Sequence, residues 1–328
     1  MQSHPFEQLT PDTVIDAVES TGIVSDARIL ALNSYENRVY QVGVEDDVPV
    51  IAKFYRPGRW SLEQILEEHA FSQELADLDI PVVPPMPLET AANGTVGEFN
   101  GFRFALFPRR GGRSPDLSLD NLLIMGRFIG RLHKVGAVRP FQQRQQMTVK
   151  GFAEDSAAFL LEQDFIPADL RQAYNSLAED LINRIHGIMA GVSSAAQIRI
   201  HGDCHMGNVL WRDDIPHFVD FDDTMTGPAI QDLWMLLSGD RQMQLAQLSE
   251  LIDGYNEFHD FNPAELGLIE ALRTMRLMHY SAWLARRWND PAFPQNFPWF
   301  NTANYWAGHI LELREQLSAL DEPSLVLY

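Results

Sequence analysis

Cysteine, long apolar segments and positive charge are scarce in this sequence. The only cysteine is Cys204, so no disulfide can form within the chain, and a reducing compartment is indicated. No apolar run approaches the roughly 18–20 residues that span a bilayer. The first residues also lack the basic and apolar regions of a signal peptide. We therefore expect a cytoplasmic protein without a membrane partner.

The shortage of positive charge limits the ligands that the surface can attract. The 328 residues contain 25 Lys and Arg against 45 Asp and Glu, which gives a formal charge of −20. Such a field repels phosphate backbones, so no nucleic-acid partner is expected. The content of 45% hydrophobic and 21% charged residues is that of a soluble globular protein. A site for an anionic ligand must therefore be built locally, from a few fixed cations.

The first third of the chain predicts a small antiparallel sheet. Short runs rich in apolar and β-branched residues alternate with turn residues, at 28–32, 38–44, 48–55 and twice within 94–107. A helix is expected at 14–20, after Thr10 and Pro11, and an inserted helix at 61–78, with Ser61 as its N-cap. We expect five strands in this region.

The rest of the chain predicts mainly helices. Helical patterns cover 119–135, 167–190, 230–237, 243–257, 263–284 and 302–320, and strands are expected only within 198–220. The Gly- and Arg-rich stretch at 108–114 separates the two parts. We expect an α+β, bilobal fold with an N-lobe at 1–107, a hinge at 108–114 and a C-lobe at 115–328. The ligand should lie in the cleft between the lobes.

Residues 198–234 contain the densest set of side chains suited to catalysis. Asp203 and Asn208 lie five residues apart in a Gly-containing loop, and Asp220 follows two short apolar runs joined by a polar turn. Two antiparallel strands would bring Asp220 back beside the loop. The protein-kinase catalytic loop has the same Asp–Asn separation and a later metal-binding Asp. The pattern therefore predicts phosphoryl transfer.

The three polar residues of this pattern have separable roles. Asp203 can orient an attacking hydroxyl and accept its proton. Asn208 and Asp220 offer oxygen to Mg²⁺, which usually takes one or two carboxylates plus substrate phosphates. Asp222 and Asp223 are weaker candidates for the metal. The ordinary alternative is a turn-capping Asp followed by a solvated acidic turn.

Lys53 is the expected cation of the nucleotide site. It lies on the third strand among apolar neighbours, and its sequence context is close to that of the strand lysine of kinases. We expect it to hold the α- and β-phosphates of ATP, with Glu68 of the following helix as its acidic partner. A surface lysine is the alternative.

Two further stretches are expected to contact the nucleotide. Residues 33–37 should cover the phosphates with backbone N–H groups and the Ser34 hydroxyl, although they lack a G-x-G-x-x-G pattern and resemble an ordinary hairpin turn. Residues 106–109, which include Phe107 and Arg109, should offer backbone groups to an adenine edge.

Several other residues have competing interpretations. His201, Cys204 and His205 could form a zinc cluster or a Cys/His pair, but their spacing matches neither C-x-x-C nor H-E-x-x-H. We expect His201 to brace the loop, and Asp232 to hold its backbone. The aromatic tract at 285–300 could hold a substrate, but a Pro-rich loop packed on helices is the more common explanation.

The motifs resemble a known family of kinases. The sequences HGDCHMGN at 201–208, VDFDD at 219–223 and GPAIQDLW at 227–234 are similar to those of the aminoglycoside phosphotransferase and choline kinase branch of the protein-kinase-like fold. NSYENRVYQ, AKFYRPGRW, QILEEHAF and RRWNDPAFPQNFPW resemble more narrowly the bacterial stress response kinase A family. That resemblance implies a cytoplasmic, ATP-dependent serine/threonine protein kinase of the stress response. It also implies Asp203 as proton acceptor, Asn208 and Asp220 as Mg²⁺ ligands and Ser34 as an ATP contact.

The sequence also departs from ordinary protein kinases. His-Gly-Asp replaces His-Arg-Asp, and seven residues separate Asp220 from Pro228, too few for a long activation loop. We therefore expect no activation by loop phosphorylation, and the short segment weakens the case for a protein substrate. A small-molecule kinase is the main alternative, and the acidic C-lobe would suit a cationic alcohol. A non-catalytic nucleotide-binding protein and a zinc hydrolase are more distant alternatives. We expect a monomer.

Overall fold

An antiparallel sheet of five strands forms the N-lobe in the computed structural model, which describes residues 4–327. The strand order is β1-β2-β3-β5-β4. The strands are β1 (Ser25–Ala31), β2 (Arg38–Val44), β3 (Asp47–Phe54), β4 (Gly97–Phe99) and β5 (Phe102–Pro108). Each pairs with its neighbour at a defined register, for example Lys53 opposite Ala105. The predicted five-stranded sheet is confirmed.

The two faces of this sheet have different partners. Alternate residues of β3 and β5, including Ala52, Phe54 and Phe104, form a buried core with α1 (Pro11–Glu19). The other face bears Lys53 and packs beside α2 (Leu62–Ala76).

Both N-lobe helices begin as the sequence predicts. The Thr10 side chain accepts the N–H of Thr13 at the start of α1. The Ser61 hydroxyl accepts the N–H of Gln64, whose side chain accepts the N–H of Ser61 in return. This capping box satisfies N–H groups that have no partner inside the helix.

Helices dominate the C-lobe and enclose one large apolar core. They are α3 (Leu119–Gly136), α4 (Asp155–Glu162), α5 (Arg171–Gly191), α6 (Ile230–Trp234), α7 (Arg241–Asn256), α8 (Ile269–Arg286), α9 (Ala292–Asn296) and α10 (Ala303–Ala319). A π-helical turn (Lys150–Glu154) leads into α4, and a 3-10 turn (Pro263–Leu268) precedes α8. Within the described residues, no helix combines the length and the apolar character required to cross a membrane.

Short strands of the C-lobe position the candidate site. They are β6 (Ile198–Ile200), β7 (Val209–Arg212), β8 (Ile215–Phe218) and β9 (Met225–Gly227). β7 and β8 form the predicted antiparallel pair, whereas β6 pairs with β9.

Some elements differ from the sequence-based expectation. The helix α4 with its π-turn was not expected, and β9 lies beyond the region in which strands were expected. β9 has only three residues and pairs with a strand more than twenty residues earlier, so no local periodicity indicates it.

Candidate active site

The loop that follows β6 is held by a buried carboxylate of α6. Asp232 accepts hydrogen bonds from the backbone N–H groups of His201, at 2.7 Å, and Gly202, at 2.8 Å. It also lies 2.9 Å from Nε2 of the buried His133. Gly202 has a φ of +85°, and a Cβ there would meet the carbonyl oxygen of Asp223 at 2.3 Å, so glycine is required. The predicted brace by Asp232 is confirmed.

His201 and Cys204 have structural positions in the same loop. His201 is buried, with Nε2 3.0 Å from the carbonyl oxygen of Val219, and its Nδ1 accepts the N–H of Asp203 at 3.4 Å. His201 therefore braces the loop, as predicted. Burial raises the pKa of the Cys204 thiol. Across residues 4–327, no group of three or more His, Cys, Asp and Glu side chains is arranged to hold a metal ion, so a zinc cluster has no support.

Asp203 lies at the open end of this loop, beside the guanidinium of Arg276 and the imidazole of His205. Nη1 of Arg276, from α8, donates to Asp203 Oδ1 at 2.7 Å, and Nε2 of His205 lies 3.4 Å from Oδ2. Burial alone raises the pKa of Asp203, but the His205 hydrogen bond and the Arg276 charge outweigh it and hold the pKa below its usual value. Asp203 is therefore an ionised carboxylate, ready to accept a hydrogen bond from a hydroxyl.

Asn208 and Asp220 are brought together by the β7–β8 pair. Val209 pairs with Phe218, and the next residues continue the ladder, since the N–H of Val219 donates to the carbonyl of Asn208 at 3.0 Å. The Asn208 side-chain NH₂ donates to the carbonyl of Asp203, also at 3.0 Å, which leaves its oxygen as the group available to a cation. Asp220 has a φ of 60°, an uncommon conformation for a non-glycine residue that is often found at functional sites.

A divalent cation fits this donor set. One amide oxygen and one carboxylate, half-exposed at Asp220, leave room for the phosphate and water oxygens that Mg²⁺ prefers. Bound there, the cation would neutralise charge on the phosphates.

Lys53 reaches from the N-lobe sheet to the C-lobe carboxylates. Its buried Nζ lies 3.0 Å from Asp220 Oδ1 and 3.2 Å from Asp222 Oδ1. Burial alone lowers the pKa of Lys53, but the charges of Asp220, Asp222 and Glu68 outweigh it and raise the pKa well above the usual value. The lysine is therefore charged and lies in the cleft between the lobes.

Glu68 is not the direct partner that we expected for Lys53. The ion pairs of Lys53 within the described chain are with Asp220 and Asp222, and Oε2 of the buried Glu68 has no hydrogen-bond partner there. Burial raises the pKa of Glu68 to about 7, although the Lys53 charge opposes this shift. Of the two aspartates that pair with Lys53, Asp220 is half-exposed, and the burial of Asp222 is offset by further cations.

Those cations are arginines that the sequence analysis did not identify. Arg59 donates to Asp222 Oδ2 at 2.7 Å and to Asp223 Oδ1 at 2.5 Å, and Arg144 donates to the backbone carbonyl of Asp222. Burial alone raises the pKa of Asp222, but Lys53, Arg59 and Arg144 bring it below its usual value. By contrast, burial and the neighbouring acids raise the pKa of Asp223 to about 6. The negative charge of residues 220–223 is thus compensated by cations from other parts of the chain, namely Lys53, Arg59 and Arg144.

Comparison with known proteins assigns the chain to a family. Residues 28–316 match the model of the phosphotransferase enzyme family. The chain belongs to this family. Among its relatives are Stress response kinase A of Escherichia coli and Serine/threonine protein kinase RdoA of Salmonella typhimurium. Each is 44% identical to this phosphotransferase over 324 residues, which cover 98% of this chain and 97% of the relative.

Solved structures of other kinases have the same fold as this phosphotransferase. An amicoumacin kinase in complex with AMP-PNP, Ca²⁺ and Ami has a TM-score of 0.70 at 18% identity, over 93% of this chain and 92% of that chain. A microcompartment-associated aminopropanol kinase also has a TM-score of 0.70, at 19% identity, over 93% and 97% of the two chains. The bilobal α+β kinase-like fold and the family resemblance are confirmed.

The Ser34 hydroxyl of this phosphotransferase shapes its own loop. It accepts the N–H of Val39 at 3.0 Å and donates to the carbonyl of Leu32 at 3.3 Å. The hydroxyl proton of Ser34 is therefore donated within the hairpin, to Leu32. We had expected this hydroxyl to contact a phosphate. Contact between this loop and ATP stays a prediction.

The expected backbone contact of Phe107 with adenine stays a prediction, and the strand geometry bears on it. The carbonyl of Leu106 accepts the N–H of Met86 at 2.6 Å, so the backbone groups of Leu106 point away from β3. Because direction alternates along a strand, those of Phe107 point towards β3, where Phe107 pairs with Ile51. The Phe107 side chain lies on the same face of the sheet as Lys53. Arg109 donates to the Gln41 side chain at 2.8 Å, and its nucleotide contact stays a prediction.

The tract at 285–300 contacts the N-lobe of the phosphotransferase as well as helices. Buried Asp290 accepts hydrogen bonds from Arg38, at 3.1 Å, and Arg56, at 2.6 Å, and the Tyr35 and Phe297 rings lie 4.9 Å apart. We had expected this tract to pack on helices, and that expectation did not include a contact with the N-lobe. In the sequence, this contact is indicated only by a run of Arg, Asp and aromatic residues. Such a run does not show which part of the chain it contacts.

Proposed function

We propose that this phosphotransferase is an ATP- and Mg²⁺-dependent serine/threonine protein kinase of the cytoplasm, acting in a stress response. The observation that carries the proposal is the 44% identity, over nearly the full length, to relatives named as a stress response kinase and a serine/threonine protein kinase. The cleft residues support the chemistry, because Lys53, Asp203, Asn208 and Asp220 occupy matching positions in the kinase pattern.

The proposed reaction moves the γ-phosphoryl group of ATP to an acceptor hydroxyl. Asp203 accepts a hydrogen bond from that hydroxyl, orients its oxygen towards phosphorus and takes the proton as the new P–O bond forms. The bond between the γ-phosphorus and the bridging oxygen breaks, and ADP leaves with the electron pair. Arg276 and His205 hold the Asp203 carboxylate in place at 2.7 Å and 3.4 Å.

The nucleotide phosphates are proposed to lie between Lys53 and the end of the β7–β8 pair. Lys53 is a fixed cation for the α- and β-phosphates, and Asn208 and Asp220 would hold Mg²⁺ beside them. The charge of Lys53 is balanced by Asp220 and Asp222. This arrangement concentrates positive charge at one point of a chain whose net charge is −20.

The test is transfer of labelled phosphate from Mg·ATP by the purified protein. We expect transfer to serine and threonine of generic protein acceptors, and transfer that is roughly 10²–10⁴-fold slower with Asp203→Ala. Asp169→Ala, at an exposed position outside the cleft, should behave as the wild type. Transfer to cationic alcohols with no transfer to proteins would instead establish the small-molecule kinase. The absence of any Mg·ATP turnover would favour a non-catalytic nucleotide-binding protein.

A further inference from the structure

One face of α8 connects Asp203 to the loop expected to cover the phosphates. This face contains Arg276, Tyr280 and Trp283, followed by Arg287 at the C-cap of α8. Their spacings of three or four residues place them on the same side of the helix. At one end Arg276 donates to Asp203, at 2.7 Å. At the other end Trp283 Nε1 donates to Glu36 at 2.7 Å, and Arg287 forms an ion pair with the same carboxylate. We call these four residues the α8 face.

The α8 face borders the position where an acceptor hydroxyl must stand. The side chain of Arg276 is 42% exposed, and Tyr280 is 39% exposed. The rings of Tyr280 and Trp283 are stacked, with centroids 5.8 Å apart and planes inclined by 14°. A substrate reaching Asp203 from the C-lobe side therefore meets a guanidinium beside two aromatic rings.

Donors of Arg276 remain available for such a substrate. Its Nη1 donates to Asp203, and within residues 4–327 neither Nε nor Nη2 makes a hydrogen bond. A guanidinium has five N–H donors in a planar fork that matches a carboxylate or phosphate. The unused edge lies next to the carboxylate that receives the hydroxyl proton.

Several arginines surround this face despite the acidic chain. Burial and then the charges of Arg286, Arg287, Arg59 and Arg276 lower the pKa of His279 to about 3. The nearby acids already have arginine partners, as with Asp203 and Glu36. A cationic alcohol would have to place its charge among these arginines.

We propose that the acceptor carries a carboxylate or phosphate next to its hydroxyl, and that Arg276 binds this group. The stacked rings of Tyr280 and Trp283 pack against the body of the acceptor. The inference rests on the proposed phosphoryl transfer and specifies its substrate. An acidic segment around a serine or threonine supplies this chemistry, as does a small hydroxy acid. The expectation of a cationic acceptor, drawn from net charge, is thereby reversed.

The test compares acceptors that differ only in charge. One serine peptide is prepared with Glu, Gln or Lys on both sides of the serine, and glycerate and choline serve as small anionic and cationic alcohols. We expect the KM of the Glu peptide to be roughly tenfold or more below that of the Lys peptide, as one charge-assisted contact allows. Arg276→Gln should remove most of this preference, Arg276→Lys should restore part of it, and Arg276→Glu should favour the Lys peptide.

A matched control separates charge recognition from a structural role. Arg273 lies one turn earlier on α8, pairs with Glu270 and covers Trp234, so Arg273→Gln should leave the preference unchanged. The KM for ATP should stay within about twofold in every variant. Because Arg276 also positions Asp203, kcat can fall for all acceptors alike. The ratio between peptides is the informative quantity, because loss of positioning alone would not alter it.

The outcomes distinguish this inference from the proposed function. Transfer to peptides without charge preference, or with preference for the Lys peptide, overturns the inference and keeps the protein kinase. Transfer to glycerate but to no peptide keeps the anionic acceptor and overturns the protein kinase. Transfer to choline alone, or to none of these acceptors, overturns both.

Discussion

Replacing Asp232 with Asn tests whether the loop of Asp203 depends on two acceptor oxygens of one carboxylate. Oδ2 accepts the N–H of His201 at 2.7 Å, and Oδ1 accepts the N–H of Gly202 at 2.8 Å. Both contacts are fully buried, and His133 lies 2.9 Å from Oδ2. Asn keeps the shape but has one acceptor oxygen, so one buried backbone N–H must lose its partner and face an NH₂ group.

The expected loss of stability in Asp232→Asn follows from this one unsatisfied N–H group. An unsatisfied buried N–H costs about 1–3 kcal/mol, and we expect the free energy of unfolding of Asp232→Asn to fall by this amount. Turnover should fall with it, because Asp203 is two residues beyond His201. The measurements are urea denaturation and the rate of phosphoryl transfer, both made on the same preparation.

Asp240→Asn is the matched control for Asp232→Asn. Asp240 is the N-cap of α7 and accepts one N–H, that of Met243, at 2.9 Å. Asn is as good an N-cap as Asp, so this variant should be as stable as the wild type. If Asp232→Asn were also as stable as the wild type, the two-oxygen brace would be refuted. Loss of turnover without loss of stability would mean that Asp232 acts on the ligand.

Three further predictions address charge in and around the cleft. Asp203→Ala should lower turnover by roughly 10²–10⁴-fold and keep Mg·ATP affinity. Asp220→Ala should weaken the binding of Mg·ATP itself. If calorimetry showed an equal loss of Mg·ATP affinity in both variants, this division of roles would be contradicted. The pKa of Glu68 is raised from 4.5 to about 7, so the folded state holds a proton that the unfolded chain releases. The free energy of unfolding should therefore fall by at most about 3 kcal/mol as pH rises from 5 to above 7, and Glu68→Gln should abolish this slope in urea denaturation. Asp290→Asn should lower the free energy of unfolding by about 3–5 kcal/mol, because Arg38 and Arg56 lose their buried carboxylate; an unchanged denaturation midpoint would count against this.

Features with a local cause were predictable from the sequence. The strands, the Ser61 capping box and the β7–β8 pair all depend on residues within a few positions of one another. The bracing roles of His201 and Asp232 were also predictable, because each lies in a recognisable motif, at 201–208 and at 227–234.

Features set by tertiary pairing were not predictable in this way. Arg276 reaches Asp203 from 73 residues away, and Asp290 reaches Arg56 from 234 residues away. An arginine in an amphipathic helix has the same local pattern whether or not it meets a catalytic loop. For the same reason Glu68 was chosen as the partner of Lys53, whereas Asp220 and Asp222 come from a different lobe.

Net charge is a poor guide to the ligands of this protein, because its charges are unevenly distributed. A formal charge of −20 predicts repulsion of ATP and attraction of cationic alcohols. The cleft has the opposite tendency, since Lys53, Arg59 and Arg276 each lie within a few ångströms of a carboxylate there. At such distances fixed charges in a partly buried cleft dominate over distant surface charges, which salt screens beyond about 8–10 Å. Raising ionic strength should therefore change the association rate of anionic ligands more than it changes the preference set by Arg276.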